Sequence, residues 1–206
     1  MTPAQHNVRC LLLDMGKVLL DFDYLQFGRR MLALTGLGIE QLRSVIMADD
    51  LTVRLETGRM GEREFHREIC SRVGAEISWT DFVEAWNSVF HADPLLPESV
   101  IACLAERADL WLISNTNKIH SDFIFDHYNF LRFFRGCSLS HEVGVLKPDR
   151  RIFEHALRGA GIAAGEALFV DDQPANVEGA RQLGIDGFQF ISPERFVDEM
   201  RQRRFL

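Results

Sequence analysis

Four short motifs of this sequence carry side chains that could act in catalysis, and each follows an apolar run. They are Asp14 in LLLDMGKV, Ser114 in LWLISNTN, Lys147 in SHEVGVLKPD, and Asp171 and Asp172 in ALFVDDQPAN. An aspartate directly after an apolar run stands at the carboxyl end of a strand, where open α/β sheets place their ligands. Asp14 alone would indicate no more than the start of a turn. Because all four motifs fall at or just beyond the ends of such runs, we expect them to converge on one crevice of a parallel sheet.

Together these side chains predict magnesium-dependent phosphoryl transfer. Carboxylates that lie close together repel one another and stay ionised only beside a cation. Mg²⁺ prefers such oxygen ligands, keeps some of its waters and is completed by a substrate phosphate. A hydroxyl, backbone N–H groups and an ammonium would hold the other phosphate oxygens. Asp14 could then attack the phosphorus atom and form an acyl-phosphate, which water cleaves.

The elements that must position these residues are predicted from apolar periodicity. After Pro94 and Pro97 strands and helices alternate, which predicts an α/β fold with a doubly wound, Rossmann-like parallel sheet. The expected strands are Cys10–Leu13, Leu110–Ser114, Cys137–Leu139, Ala167–Asp171 and Gly187–Ile191. The expected helices of this part, after one that carries Val100, Ile101 and Leu104, are Lys118–His127, Arg150–Ala160, Pro174–Leu183 and Pro193–Arg203.

The segment between the first strand and Pro94 has a different character. It shows only helical periodicity, with glycines at the joins, and predicts a helical bundle inserted into the α/β domain. The expected helices are Tyr24–Leu34, Ile39–Ala48, Glu62–Val73 and Thr80–Phe90. We therefore expect a core domain of residues 1–20 and 95–206 and a helical domain of residues 21–94, with a short flap or hairpin between residues 17 and 23. Trp79 and Trp86, one heptad apart, are expected in the core of the bundle, and a second interpretation has Trp86 or His91 facing a substrate.

Composition and charge exclude several classes of protein. The 206 residues are 47% hydrophobic and 26% charged, as in ordinary globular proteins, and the net charge of −7 argues against nucleic acid binding. The four cysteines form no CxxC pair and are expected to be reduced. Residues 1–9 contain no hydrophobic signal region, and no apolar run approaches the length of a membrane span. We expect a cytoplasmic monomer or homodimer that binds a small phosphorylated molecule and has no membrane partner.

The four motifs, in this order and local context, resemble those of the haloacid dehalogenase (HAD) superfamily, whose phosphatases use them. The likeness covers nearly the whole chain, because the helical insert is similar to the family's C1-type cap in position and size. It implies that Asp14 is the nucleophile and a metal ligand, and that Lys147 binds phosphate and takes part in catalysis. The other roles that it implies are phosphate binding by Ser114 and Asn115, metal binding by the Gly16 carbonyl, Asp171 and Asp172, and orientation of the loop by Asn176.

Gly16 is the position at which the chain departs from most HAD phosphatases, which carry an aspartate there. That aspartate protonates the leaving oxygen, whereas the family's metal ligand is this residue's backbone carbonyl, which glycine retains. General acid catalysis is worth about 10²–10⁴ in rate, and its loss matters least for a good leaving group. The anomeric hydroxyl of a sugar 1-phosphate is such a group, and several elements are similar to those of bacterial α-D-glucose-1-phosphate phosphatases, which also carry this glycine. Lys17 could replace the acid, but a surface or phosphate-steering charge is the simpler interpretation.

Two other functions stay open. A 2-haloacid dehalogenase would use Asp14 to displace halide without a metal, which would leave Asp171 and Asp172 as an uncompensated acidic pair. A catalytically weak binding module is the second, because Gly16 removes the acid and a fold does not guarantee a function. The leading hypothesis is a Mg²⁺-dependent phosphatase of small phosphomonoesters, with sugar 1-phosphates as one substrate class.

Overall fold

A computed structural model describes residues 8–206, and the first seven residues of the polar amino-terminal segment lie outside the described part. The strands are β1 (Cys10–Leu13), β2 (Leu20–Phe22), β3 (Phe90–Pro94), β4 (Asp109–Ser114), β5 (Phe134–Leu139), β6 (Ala167–Asp171) and β7 (Asp186–Gln189). Five of them form one sheet in the order β5-β4-β1-β6-β7, and every neighbouring pair is parallel. The predicted α/β fold class is confirmed.

Helices cover both faces of this sheet. Six of them come from the second half of the chain: α6 (Glu98–Ala105), α7 (Lys118–His127), α8 (Ser140–Val143), α9 (Arg150–Ala160), α10 (Pro174–Arg181) and α11 (Pro193–Gln202). In β1, Leu11 and Leu13 pack on one face with residues of α6, α7 and α11. Cys10 and Leu12 pack on the other face with residues of α9 and α10. Successive side chains of a strand point to opposite faces, so a strand covered on both sides is apolar throughout.

The insert consists of five helices: α1 (Leu25–Thr35), α2 (Ile39–Met47), α3 (Leu51–Glu56), α4 (Glu62–Val73) and α5 (Trp79–Asn87). Their apolar faces form a hydrophobic cluster of their own, in which Phe65, Phe82 and Trp86 pack against one another. The cluster reaches the rest of the protein through Ile119 of α7. The separate cluster fits the predicted helical bundle, whereas its division from the core as a domain stays a prediction.

The two chain segments that join the insert to the core pair with each other. β2 and β3 form an antiparallel two-stranded sheet, with Leu20 opposite Pro94 and Phe22 opposite Phe90. The expected helix Thr80–Phe90 therefore ends earlier, at Asn87, because the chain becomes extended to pair with β2. Of the two forms expected for residues 17–23, a flap or a hairpin, the structure shows no hairpin of β2 with a neighbouring strand: β2 pairs with β3, about seventy residues further along the chain, and Gly16 and Leu20 form only an isolated bridge, while the flap stays a prediction.

Within residues 8–206, no single helix is long and apolar enough to cross a membrane. One sharply bent pair, Leu25–Thr35 with Ile39–Glu56, reaches the required length and apolar composition.

Candidate active site

The carboxyl ends of three neighbouring strands bring Asp14, Ser114 and Asp171 to one edge of the sheet. β1 lies between β4 and β6 in parallel register. Asp14 extends this pairing, since its backbone N–H donates to the Val170 carbonyl over 3.0 Å. Ser114 and Asp171 are the last residues of β4 and β6. The sheet therefore collects the residues that the motifs singled out.

Lys147 joins two of the carboxylates. Its ammonium nitrogen lies 2.6 Å from Asp14 Oδ1 and 2.6 Å from Asp171 Oδ2, and it donates to the Ile113 carbonyl over 3.0 Å. An ammonium has three hydrogens, so each of them has an acceptor. The lysine is only 5% exposed, and in such a site an unpaired charge would be costly. Lys147 is thus the counter-ion that holds Asp14 and Asp171 side by side, and a phosphate oxygen would have to share one of its hydrogens.

The charges of this cluster shift one another's pKa values. Burial raises the pKa of Asp14 above its ordinary value, and the Asp171 charge adds to the rise while Lys147 opposes it. Burial also raises the pKa of Asp172. For Lys147, burial alone would lower the pKa, but the charges of Asp14 and Asp171 outweigh it, and the pKa is raised. The lysine therefore stays charged, whereas the carboxylates would need further positive charge to ionise together.

Asp171 is the most firmly held of the three carboxylates. Its oxygens accept four hydrogen bonds, from Lys147, from the Gln173 backbone N–H at 2.8 Å, and twice from Asn176 Nδ2 at 3.0 and 3.1 Å. The residue is fully buried. Asn176 therefore helps to hold the Asp171 carboxylate in place, and its predicted role in orienting the loop stays a prediction.

Asp14 has a carboxylate oxygen that forms no hydrogen bond with any residue between 8 and 206. Asp14 Oδ1 accepts from the Met15 backbone N–H at 2.7 Å and faces Lys147, which leaves Oδ2 free. Asp172 Oδ2 accepts from Gln173 Nε2 at 2.6 Å, and the Asp172 carboxyl also accepts from its own backbone N–H. One oxygen of each of the three aspartates lies within 4.8 Å of the others.

This donor set fits a divalent cation that prefers oxygen. It contains carboxylates and no sulfur or nitrogen ligand, which is the chemistry that Mg²⁺ selects. Three carboxylates and one ammonium leave two negative charges uncompensated, and one divalent cation would balance them. Asp14, Asp172 and, next to them, Asp171 are the side chains that could hold such an ion.

The loop after β4 supports the site from the opposite side. The Ser114 hydroxyl makes only a long contact, 3.5 Å, with the Asn115 carbonyl, so it can turn toward a substrate oxygen. The Asn115 side chain is already engaged: its Oδ1 accepts from the Lys147 backbone N–H at 2.6 Å, and its Nδ2 donates to the Lys147 carbonyl at 3.2 Å. The Asn115 side chain therefore anchors the segment that carries Lys147. Because that side chain is occupied, only the Asn115 backbone N–H could make the predicted contact with phosphate.

Gly16 lies against an aromatic ring. A Cβ added at this glycine would lie 2.9 Å from Phe22 Cε1. The neighbouring Lys17, with a φ of 60°, directs its ammonium to Asp21 Oδ1 at 2.5 Å and to the Phe22 carbonyl at 2.6 Å. Lys17 thus braces β2, and this contact favours the surface interpretation over the substitute acid.

Three residues near the site escaped the sequence analysis. The Ser140 hydroxyl exchanges hydrogen bonds of 2.9 Å with both the N–H and the carbonyl of Thr116, which fixes the loop after β4. His120 Nε2 lies 3.1 Å from the Trp86 carbonyl and so links α7 to α5. Glu56 lies in a cavity between the insert and α7. The contacts of Ser140 and His120 join segments far apart in sequence, and no local spacing predicts them.

The fold and the site define a hydrolase class: a doubly wound α/β protein with a buried aspartate at the end of its first strand, a lysine counter-ion and a carboxylate pair. Residues 8–184 match the family described as haloacid dehalogenase-like hydrolase, and the chain belongs to that family.

Curated relatives and a solved structure agree with this assignment. The chain is 27% identical over 150 residues to a D-ribitol-5-phosphate phosphatase of Bacteroides thetaiotaomicron, a match that covers 70% of this chain and 71% of the relative. It is 33% identical over 139 residues to a phosphoserine phosphatase of Thermus thermophilus, over 62% and 53% of the two chains. The crystal structure of a wild-type HAD family enzyme from Bacteroides thetaiotaomicron, complexed with magnesium and inorganic phosphate, superposes with a TM-score of 0.80 at 26% identity over 90% and 95% of the chains.

Proposed function

We propose that this protein is a Mg²⁺-dependent phosphatase of small phosphomonoesters, with Asp14 as its nucleophile. The observation that carries the proposal is the free Oδ2 of Asp14, held beside Lys147 and two further carboxylates. The phosphatase relatives and the neighbour with bound magnesium and phosphate support the same reaction.

The reaction proceeds in two displacements. Asp14 Oδ2 attacks the phosphorus atom, the bond from phosphorus to the ester oxygen breaks, and an aspartyl-phosphate forms. The leaving oxygen departs with the bonding electrons and takes a proton from water, because Gly16 supplies none. A water molecule then attacks the phosphorus atom and gives up a proton to the solvent, the bond from phosphorus to Asp14 Oδ2 breaks, and inorganic phosphate leaves with Asp14 restored as a carboxylate.

The surrounding residues prepare this chemistry. Lys147 holds Asp14 in place and offsets its charge, and Ser114 offers a hydroxyl to a phosphate oxygen. When bound, Mg²⁺ would add positive charge that keeps the carboxylates ionised and draws phosphate toward them. Asp14, Asp172 and the Gly16 carbonyl are the groups that we assign to it, with Asp171 beside them. Residues 21–94 would act as a cap domain over this site.

The absence of an acid at Gly16 restricts the ester. A leaving group that departs unprotonated must be a weak base, so acidic hydroxyls are favoured. Sugar 1-phosphates and phosphates of phenols, whose pKa is about 10 as in tyrosine, both satisfy this condition. Halide displacement without a metal is less consistent with the site, because the single ammonium of Lys147 would then face the three carboxylates of Asp14, Asp171 and Asp172.

The test measures phosphate release from phenyl phosphate and glucose 1-phosphate, with Mg²⁺ and with EDTA. We expect metal-dependent release that Asp14→Asn abolishes. Asp122→Asn, which removes an exposed carboxylate of α7, is the matched control and should keep full activity. Release that survived Asp14→Asn, in a variant with unchanged thermal stability, would exclude Asp14 as the nucleophile.

A further inference from the structure

A cavity of about 460 Å³ lies between the insert and α7. Its volume falls within the range of about 300–1,000 Å³ that is typical of small-molecule sites. Apolar and aromatic side chains form most of its walls. They include Tyr24, Phe27, Ile39, Ile46, Trp86 and Val89.

Two of the residues that line the cavity contact segments next to the proposed catalytic residues. Tyr24 packs edge-on against Phe22 at a centroid distance of 6.0 Å, and Phe22 is the ring that lies against Gly16. On the other side, His120 is tied to Asn117, the N-cap of α7, which follows the loop that starts at Ser114. The cavity is therefore linked to the segments that carry Asp14 and Ser114, through Phe22 on one side and through Asn117 on the other.

A second, shallower depression continues the apolar surface outward. Tyr24 and Ile39 line both depressions, and the outer one also contains Leu25 and Leu32. These four side chains are 43–60% exposed. Such a continuous apolar surface suits an apolar ligand, because binding removes the apolar surfaces of both the ligand and the protein from water.

The cavity offers few polar groups to a ligand: the Thr52 hydroxyl, the Glu56 carboxyl and Trp86 Nε1, a buried donor with no hydrogen-bond partner among residues 8–206, are fewer than the hydroxyls of a sugar. Glu56 forms no hydrogen bond or ion pair with any residue from 8 to 206, and burial raises its pKa to about 7. Burial lowers the pKa of His120 to about 4, so its ring is neutral, and it is already bonded to the Trp86 carbonyl. Glu40 and Arg43 lie at the exposed rim. A sugar carries several hydroxyls, and each one buried without a partner would cost binding energy.

We infer that the cavity binds the leaving group of the substrate, and that the preferred substrates are aryl phosphates with an apolar, extended aromatic body. This inference rests on the proposed phosphatase function and names its substrate class. Two observations support it. The missing acid at Gly16 requires an acidic hydroxyl, and the apolar cavity requires an apolar body; a phenol combines both.

The test compares phenyl phosphate with its para-methyl, para-propyl and para-pentyl derivatives. A para-alkyl group barely changes the acidity of the phenol, so the series varies apolar size at constant leaving-group chemistry. We expect kcat/KM to rise about fourfold for each buried methylene until the cavity is filled. Glucose 1-phosphate is expected to react more slowly than every member of the series.

Substitutions in the cavity wall test whether the dependence of kcat/KM on alkyl chain length arises in this cavity. Met47 and Ile39 line the cavity and are 63% and 43% exposed, so Met47→Gln and Ile39→Gln should fold and should flatten the dependence on chain length. Leu34→Gln is the matched control, because Leu34 is also exposed on this helix pair but does not line the cavity. It should keep the full dependence.

The two proposals fail in different ways. Metal-dependent phosphate release with no dependence on chain length, or faster release from glucose 1-phosphate, would overturn the aryl assignment and leave the phosphatase intact. A chain-length effect that Leu34→Gln removed as well would overturn the assignment of the cavity. No metal-dependent release from any ester would overturn both proposals.

Discussion

Restoring the missing acid tests how Gly16 and its surroundings shape catalysis. Aspartate at this position should protonate the leaving oxygen, a contribution of about 10²–10⁴ in rate. The Cβ of the new residue, however, would lie 2.9 Å from Phe22 Cε1, whereas carbon atoms in ordinary contact are about 3.5–4.0 Å apart. The ring cannot withdraw freely, because Tyr24 and Phe90 pack against it at 6.0 and 6.4 Å. We therefore expect Gly16→Asp alone to lower the free energy of unfolding by about 1–3 kcal/mol and to gain little activity.

A second substitution should release this conflict. Phe22→Leu removes Cε1 but keeps a carbon near the position of Cδ1, which lies 3.6 Å from the added Cβ, an ordinary contact. In the double variant we expect the lost stability to return and turnover of butyl phosphate, a poor leaving group, to rise about 10²-fold or more. Turnover of para-nitrophenyl phosphate, whose leaving group needs no proton, should change little.

The measurements are kcat for both esters and the free energy of unfolding, for the wild type, both single variants and the double variant. Such a cycle isolates the coupling between the two positions. Equal gains for both esters would refute the role of a proton donor at this position. Full activity and stability in Gly16→Asp alone would refute the steric argument.

Two further predictions concern stability. Glu56 has a folded-state pKa of about 7 against an ordinary 4.5, so its ionisation destabilises the folded protein. This destabilisation is absent below about pH 4.5 and complete above about pH 7. Glu56→Gln should therefore raise the free energy of unfolding by about 3 kcal/mol at pH 8. It should have little effect on the free energy of unfolding at pH 4. Urea titrations at the two pH values measure this difference, and an equal gain in stability at both would contradict the account. Asn176→Ala should lower the stability by about 1–3 kcal/mol, because Asp171 loses two hydrogen bonds in a fully buried site; an unchanged melting temperature would argue against this anchor.

The sheet and the site carboxylates were predictable because their signals are local. A fully apolar strand such as Cys10–Leu13 can only be buried on both faces, and the aspartate that follows it must stand at the strand's carboxyl end. Strand order then brings Asp14 and Asp171 together. The roles of these residues in catalysis remain predictions, but their proximity follows from sequence pattern and topology.

The remaining features depend on contacts between distant segments. β3 was missed because Phe90 continues the helical spacing of α5, and only its pairing with Phe22 makes it extended. The engagement of Asn115 with the Lys147 backbone joins residues 32 positions apart. The short helix α3 follows two residues with positive φ, Asp49 and Asp50, a backbone turn that non-glycine residues rarely adopt.

Phe22 of β2 links the position that lacks an acid, Gly16, to a residue that lines the cavity, Tyr24. The Phe22 ring takes the space beside Gly16 that the side chain of an aspartate would need, and Tyr24, two residues on, forms the adjoining wall of the cavity. An acid at this position would therefore have to displace the ring against which the cavity wall packs. The same segment selects an acidic hydroxyl by supplying no proton and an apolar body by lining the path that the leaving group follows. The two requirements on the substrate are thus coupled, and a change at Phe22 should alter both.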